Sequence, residues 1–231
     1  MNPFKLFKKK DYFLYFSFLV IITVAFLSVK EKDYLTLVSS LVGVTALSFM
    51  AKGHVMGQIV TVVFSVFYGI VSFLFKYYGE MITYLFMTAP MAVMAIISWA
   101  KNPFKESNQV SVRKLKKRDV YLMFILGIIV TIIFYFVLKW LNNANIIVST
   151  LSIFTSFIAC FLTFLRSPYY AVGYALNDIV LIVLWALALK DSFSYFPLVV
   201  NFTLFFIYDL YAFIVWKKME IKQKNEIEKP V

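Results

Sequence analysis

Apolar residues along this chain gather into eight long runs, separated by short stretches of charged and turn-forming residues. The runs cover roughly Tyr12–Val29, Tyr34–Met50, Val55–Phe75, Met81–Ala100, Val120–Leu141, Ile146–Leu165, Tyr169–Leu189 and Phe193–Trp216. Most approach the ~20 residues that a helix needs to cross about 30 Å of hydrocarbon, and the second is the shortest. The pattern predicts eight membrane-spanning helices with short connections, among them Lys52-Gly53-His54 and a tight turn at Lys76–Glu80 with Gly79. The one long connection, Lys101 to Asp119, is polar and is expected to be a mobile cytosolic segment. KLFKKK precedes the first run, but that run is too long for a signal h-region and lacks a small-x-small cleavage site, so it is expected to stay as a helix.

Two of the runs end alike. KYYGEMITYLFMTAPMAVMAIISWAKNP (Lys76–Pro103) and KDSFSYFPLVVNFTLFFIYDLYAFIVWKKM (Lys190–Met219) align when Trp99 is placed over Trp216, 117 positions later. Runs two to four (34–100) then form one triple and runs six to eight (146–216) the other. Three crossings reverse the side of the chain, so the segment 101–145, a loop and a linker helix, must bring it back. Both triples therefore share one orientation, which is the parallel 3+1+3 plan of SWEET-type folds. Residues 1–33, with the first run, fall outside the duplication as an accessory helix, and 217–231 form a cytosolic tail. The expected fold is an all-α polytopic membrane protein, a seven-helix SWEET-like core plus one accessory helix. A duplicated membrane unit is the usual plan of a transporter, whose site lies between the repeats near the midplane.

Composition supports that class. The 231 residues are 62% hydrophobic and 15% charged, against about 25% charged in soluble domains. The net charge of +11 is not spread evenly. With eight crossings and a cytoplasmic N-terminus, only Lys30, Lys32, Lys76, Lys139 and Lys190 of the 23 basic residues face outward. The rest, from Lys5 in the first tail to Lys229 in the last, lie inside, as the positive-inside rule requires. Both termini and the 101–119 loop are thus expected in the cytoplasm of a cell carrying this protein in its plasma membrane. KLKKR (114–118) reads as a topology signal that also touches anionic headgroups, not as a nucleic-acid patch. Cys160 is the only cysteine, so it has no intrachain partner for a disulfide or thiolate metal cluster.

No catalytic, metal or cofactor motif is present: there is no HExxH, no GxSxG and no phosphate loop to couple ATP to movement. His54, the sole histidine, reads as a solvated turn residue. The candidate chemistry lies in the polar residues inside the apolar runs, which are costly there and usually face a cavity or a partner. Asp178 and Asp209 are the acidic residues well inside a run. Asp178 lies ~14 Å from its helix start, near the midplane, and Asn201 reaches a similar depth from the opposite side. Trp185 follows Asp178 by seven positions, on nearly one helical face, about 10 Å along the axis. Asn177, Asp178, Trp185 and Asn201 thus suit a flat, partly polar ligand that stacks on a ring and hydrogen-bonds at its edge. Asp209 lies nearer the cytoplasmic end, where Lys217 or Arg166 offers a structural ion pair as an alternative to a site role. Tyr68 and Tyr84 are deep enough to line a cavity, with core packing as the default for a chain this rich in rings, and Gln58, near the inner end of its run, is a gate residue or merely interfacial. Tyr77, Tyr78, Trp99, Trp140, Tyr195 and Trp216 fall at run ends, as interfacial belts do.

YALNDIVLIVLWALA (174–188), FSYFPLVVNFTLFFIYDLYAFIVWKKM (193–219) and KYYGEMITY (76–84) resemble the PnuC family of vitamin transporters, especially its Gram-positive members. The resemblance spans about 34–219 and implies a homotrimer and facilitated diffusion of nicotinamide riboside, trapped afterwards by cytosolic phosphorylation. It departs at Tyr84 and Ala92, where members commonly carry Asn and Gln; 117 positions on, those positions are Asn201 and Asp209. Relatives that move thiamine or riboflavin keep those substrates open, as does a substrate-binding subunit that borrows an ATPase. The expected partner is a flat, cationic vitamin precursor within a lipid bilayer.

Overall fold

A computed structural model of the protein describes residues 6–228 except positions 106 and 144. Lys5 and Lys229 lie outside the described residues. Eight long helices are seen among them: α1 (Lys9–Ser28), α2 (Tyr34–Met50), α3 (Met56–Leu74), α4 (Tyr78–Ala100), α5 (Lys117–Trp140), α6 (Ile146–Phe164), α7 (Tyr170–Leu189) and α8 (Phe196–Glu228). Seven are long and apolar enough to span a bilayer, α8 together with the short 3-10 turn before it; α2 falls short at 17 residues. That length is about 26 Å at the helical rise, so α2 nearly crosses the hydrocarbon.

Local chemistry sets the helix ends. Asp11 and Asp119 accept from the N–H groups of Lys8 (2.6 Å) and Lys116 (3.0 Å), capping α1 and α5. α2 and α6 close with the same pair of reverse bonds. His54 N–H donates to Phe49 O with Gly53 N–H to Met50 O; Ser167 N–H donates to Leu162 O with Arg166 N–H to Thr163 O. The motif requires one left-handed residue, here Gly53 (φ 65°) and Arg166 (φ 58°). Inside α4 the turn Thr83–Thr88 is a π-helix. Pro90 follows it, and its missing N–H and its ring's clash with the carbonyl of Phe86 explain why the ladder loosens just there.

The helices pack in two reciprocal sets. α3 lies on α2 and α4, and α7 on α6 and α8, while α2 touches α8 and α4 touches α6 across the middle. Where the sets meet, the Trp99 and Trp216 rings lie with centroids 5.4 Å apart and planes tilted by 53°. The Trp99 indole donates to Thr163 O and the Trp216 indole to Met50 O, each at 2.9 Å. Both acceptors are the same carbonyl of the closing motif just described. These tryptophans were expected in an interfacial belt; they are instead fully buried, because each indole N–H finds a carbonyl inside the bundle. Tyr77 is buried too, whereas Trp140 is 80% exposed at the end of α5.

Two further expectations need correction. The connection after α4 is not a loose segment: Val110 N–H donates to Gly53 O, Gln109 Nε2 to Lys52 O and Arg113 N–H to Arg166 O, which pins it across both halves. The stretch after Trp216 is not a tail but three more turns of α8, carried by Lys217–Glu220, Lys222–Glu226 and Lys224–Glu228 pairs. Gln223 on this extension accepts from Val112 N–H and donates to Val110 O, locking the loop to it. His54 is half-buried, its Nδ1 accepting from Met56 N–H at 3.1 Å at the start of α3.

Accessory helix α1 is fastened to the core by charge. Lys52 Nζ lies 2.7 Å from Asp11 Oδ1, both side chains are buried, and the Tyr211 hydroxyl donates to the same carboxylate. Burial pushes the Lys52 ammonium below its usual range, and the Asp11 hydrogen bond opposes that shift. Removing one partner of a buried pair strands the other, at a cost of about 3–5 kcal/mol. Asp11→Ala should therefore lower the melting temperature in detergent and expose α1 to limited proteolysis, while Asp11→Ala with Lys52→Met restores most of the loss. Equal melting of the single variant and the parent would show that the pair does not hold α1.

Candidate functional site

At the centre of the bundle α2, α3, α4, α7 and α8 enclose a small cavity. Its lining includes Gly43, Phe64, Tyr84, Asn177, Asp178, Phe205 and Asp209. Asp178 and Asp209, on neighbouring helices, meet carboxyl to carboxyl within hydrogen-bonding range, and both are almost wholly buried. Two carboxyls make that contact only with a proton between them, so the pair bears at most one negative charge. Asp178 Oδ2 and Asp209 Oδ1 have no hydrogen-bond partner among the described residues. The ion pair that Lys217 or Arg166 offered Asp209 does not form: Lys217 pairs with Glu220 at 2.9 Å, and Arg166 binds Ser98 Oγ at 2.8 Å. Lys217 lies eight residues, about 12 Å, further along α8, and Arg166 follows the end of α6.

Asn177 lies beside this pair and is held by its neighbours. Its Oδ1 accepts from Thr155 Oγ1 (2.8 Å) and Ser156 Oγ (2.9 Å) on α6, and the Tyr84 hydroxyl meets the same side chain. α7 can approach α6 so closely because position 173 is glycine: a Cβ there would lie 2.9 Å from the Ala159 Cα. Tyr84 stands on the π-turn of α4 with its ring 4.4 Å from that of Tyr68, edge to face. Tyr68 in turn accepts from the Trp185 indole at 2.8 Å. Trp185 is fully buried within a box made by Tyr68, Phe75, Tyr77 and Tyr195, with centroids at 6.4, 6.3, 4.7 and 5.7 Å.

The structure thus gathers Tyr84, Asn177, Asp178 and Asp209 on one cavity, with Tyr68 and Trp185 one layer away. Asn201 and Gln58 do not line it, although both are buried and carry side-chain atoms without a partner among the described residues. The sequence reading missed Glu80. It was placed in an external turn, yet it lies within the first turn of α4, fully buried, with Ser152 Oγ donating to Oε2 at 3.4 Å and no partner at Oε1 among the described residues. The helix starts three residues earlier than the apolar run suggests, and one acidic residue beside a Gly in a turn-like string gives no sign of that. Chemically, the cavity offers at most one negative charge, amide and phenol hydrogen bonds and aromatic walls: the features that hold a flat organic cation. At about 40 Å³ it has room for little more than a water molecule.

The family model for the nicotinamide mononucleotide transporters matches residues 33–218, both three-helix sets and the helix between them. The chain belongs to that family. This makes it a membrane transporter and a member of the PnuC group, not an enzyme. A curated relative from Neisseria mucosa, described as nicotinamide riboside transporter PnuC, is 25% identical over 195 residues, which cover 81% of this chain and 73% of that one. A solved structure described as the crystal structure of the vitamin B3 transporter PnuC superposes with a TM-score of 0.79 at 22% identity, covering 94% of each chain. At that identity the likeness is one of fold. Within the family fold, the central cavity lies where the two helix sets face each other.

Tyr68 orders the wall next to the cavity by fixing the Trp185 indole. Tyr68→Phe leaves a buried donor unpaired, at a cost of about 1–3 kcal/mol. It should lower the melting temperature and shift the tryptophan fluorescence; an unchanged spectrum and melting curve would remove this bond from the site's support.

Proposed function

We propose that the chain carries nicotinamide riboside, or a closely related flat pyridinium-type vitamin precursor, across the plasma membrane by facilitated diffusion. The observation that carries this reading is the Asp178–Asp209 carboxyl pair, buried at the cavity wall with at most one negative charge and no cation beside it among the described residues. A positively charged aromatic ring supplies the missing counter-charge, with Asn177 and Tyr84 set for a carboxamide or ribose hydroxyls. Trp185, Tyr68, Asn201 and Gln58 are assigned to the path on either side of the cavity. The description of the Neisseria relative as a nicotinamide riboside transporter agrees with this choice. Riboflavin, which is uncharged, would leave the carboxyl pair unanswered. Because transport is downhill, phosphorylation of the solute after entry is what keeps it in the cell.

The two helix sets are read as a parallel SWEET-like repeat. In support, Trp99 and Trp216 make the same hydrogen bond to the opposite set and meet at its centre. The lysine distribution supports both chain ends and the 101–116 connection lying in the cytoplasm. The homotrimer implied by the family resemblance is retained, with the outward apolar face of α5 (Ile125, Ile129, Ile132, Phe136) available to partner or lipid. Labelling Ser111→Cys with an impermeant maleimide in intact cells should fail and succeed after lysis; labelling before lysis would reverse the orientation.

Counterflow in proteoliposomes tests the substrate. Labelled nicotinamide riboside should exchange, with thiamine, also a flat cation, as the competitor to compare and riboflavin inactive. Asp178→Asn and Asp209→Asn each replace one acid of the pair, and together they remove its charge; the double variant should weaken uptake roughly 10- to 150-fold, the equivalent of about 1.5–3 kcal/mol for a lost bond to a charged group. Wild-type exchange by both variants and by their double variant would sink the site assignment. Preference for thiamine would keep the site and replace the substrate.

A further inference from the structure

A second and much larger concavity opens at the end of the bundle where the first residues, the 101–116 connection and the extension of α8 converge. It measures about 430 Å³, within the range of small-molecule sites at roughly 300–1,000 Å³. Six of its lining residues are lysines, Lys8, Lys10, Lys52, Lys105, Lys218 and Lys222, and Glu226 is the one carboxylate among them. Several of these ammonium groups are poorly matched within the protein. Lys10 and Lys105 rest over the rings of Tyr211 and Phe104 at 5.5 and 5.6 Å. Glu226 is shared at long range between Lys105 (3.8 Å) and Lys222 (3.6 Å). Lys52 closes the floor, buried, with Asp11 as its single carboxylate partner among the described residues.

We infer that this pocket binds the phosphate group of a small organic phosphate. Lysines converging on a concave site act as point charges for phosphate oxygens, whereas bidentate recognition of a carboxylate favours arginine, of which the pocket lining has none. Phe104, Val215 and Met219 add apolar surface for the organic part. The anion displaces ring contacts worth little at exposed sites, so its gain is nearly undiminished. Two sources share this chemistry: a soluble nucleoside monophosphate and the headgroup of an anionic lipid. The pocket is built from the loop that joins the two helix sets and from the helix that carries Asp209, so an occupant ties together the parts that must shift for the central cavity to open. The inference stands apart from which solute is carried.

The experiment uses the full-length protein in phosphatidylcholine nanodiscs, titrated with AMP and, as control, adenosine, by calorimetry. A second arm compares melting temperatures in phosphatidylcholine and phosphatidylglycerol nanodiscs. Both are repeated with the triple variant Lys105→Gln, Lys218→Gln, Lys222→Gln, whose side chains are exposed and should not disturb folding. AMP should bind and adenosine should not; the variant should weaken AMP at least tenfold, and raised salt should do the same. A melting increase in phosphatidylglycerol that the variant loses assigns the pocket to a headgroup. If neither AMP nor phosphatidylglycerol has an effect, or the variant responds as the parent does, the inference is wrong.

Discussion

A carboxylate placed in hydrocarbon needs an answering charge or a proton, and this requirement separates the acids that fasten helices from those left inside the bundle, where Glu80 too meets only the Ser152 hydroxyl among the described residues. Asp11 is met by the Lys52 ammonium and the Tyr211 hydroxyl, and Asp119 by both guanidinium contacts of Arg113 at 2.8 and 2.9 Å. Both stand at helix starts and fasten one segment to another. Asp178 and Asp209 stand mid-bundle and meet only each other's acid group. Nothing in the packing needs them: Leu or Asn would fill the space without the expense of a buried charge. They line the wall of the central cavity, where the proposed cation would supply the counter-charge.

The scaffold that holds this pair is fixed elsewhere. Trp99 and Trp216 clamp the sets at the end carrying the closing motifs of α2 and α6, where the pinned 101–116 connection also crosses. Above that clamp the sets touch mainly through aromatic side chains, Phe64, Tyr68, Tyr84, Phe202 and Phe205, whose centroids lie 4.4–5.7 Å apart. Ring contacts of that kind rearrange by rotamer changes, unlike a buried hydrogen bond to a carbonyl. A cavity of about 40 Å³ cannot admit a nucleoside, so the aromatic layer must part for passage. The π-turn of α4, which carries Tyr84 ahead of Pro90, is the place where the backbone ladder is already loosened.

The helices were legible because a bilayer leaves the chain few options: apolar runs of the right length, with charges between them, admit one reading. Helix boundaries at Lys117 and Glu228 were not, since there polar residues form helix through caps and i,i+4 pairs that hydropathy does not register. Asp178, Asn177 and Asp209 stood out as polar groups in apolar runs, while the depth that set Asp178 level with Asn201 did not bring Asn201 to the cavity wall. Placing Tyr84 against Asn177, by contrast, depends on how α4 crosses α6 and α7, which no single-helix periodicity contains. Trp185 shows the limit of the seven-residue rule. It shares a face with Asp178, yet its indole turns to Tyr68, because a buried N–H must find an acceptor and the nearest one lies on α3.

The asymmetry between the two sets is the last feature that bears on mechanism. At the 117-residue spacing set by Trp99 and Trp216, Asp209 falls opposite Ala92 and Asn201 opposite Tyr84. The backbone is shared out evenly, while the chemistry is not: α7 and α8 bring acid and amide as well as the rings of Tyr174 and Phe205, whereas α3 and α4 bring Phe64 and Tyr84 and no acid. A strictly symmetric lining would present two carboxyl pairs to a ligand bearing one positive charge, and the second pair would have to be desolvated for nothing. Both carboxyls come from one set, so the proposed flat cation meets its counter-charge on one side of the cavity, where Thr155 and Ser156 hold Asn177 and the Gly173 approach brings α7 against α6.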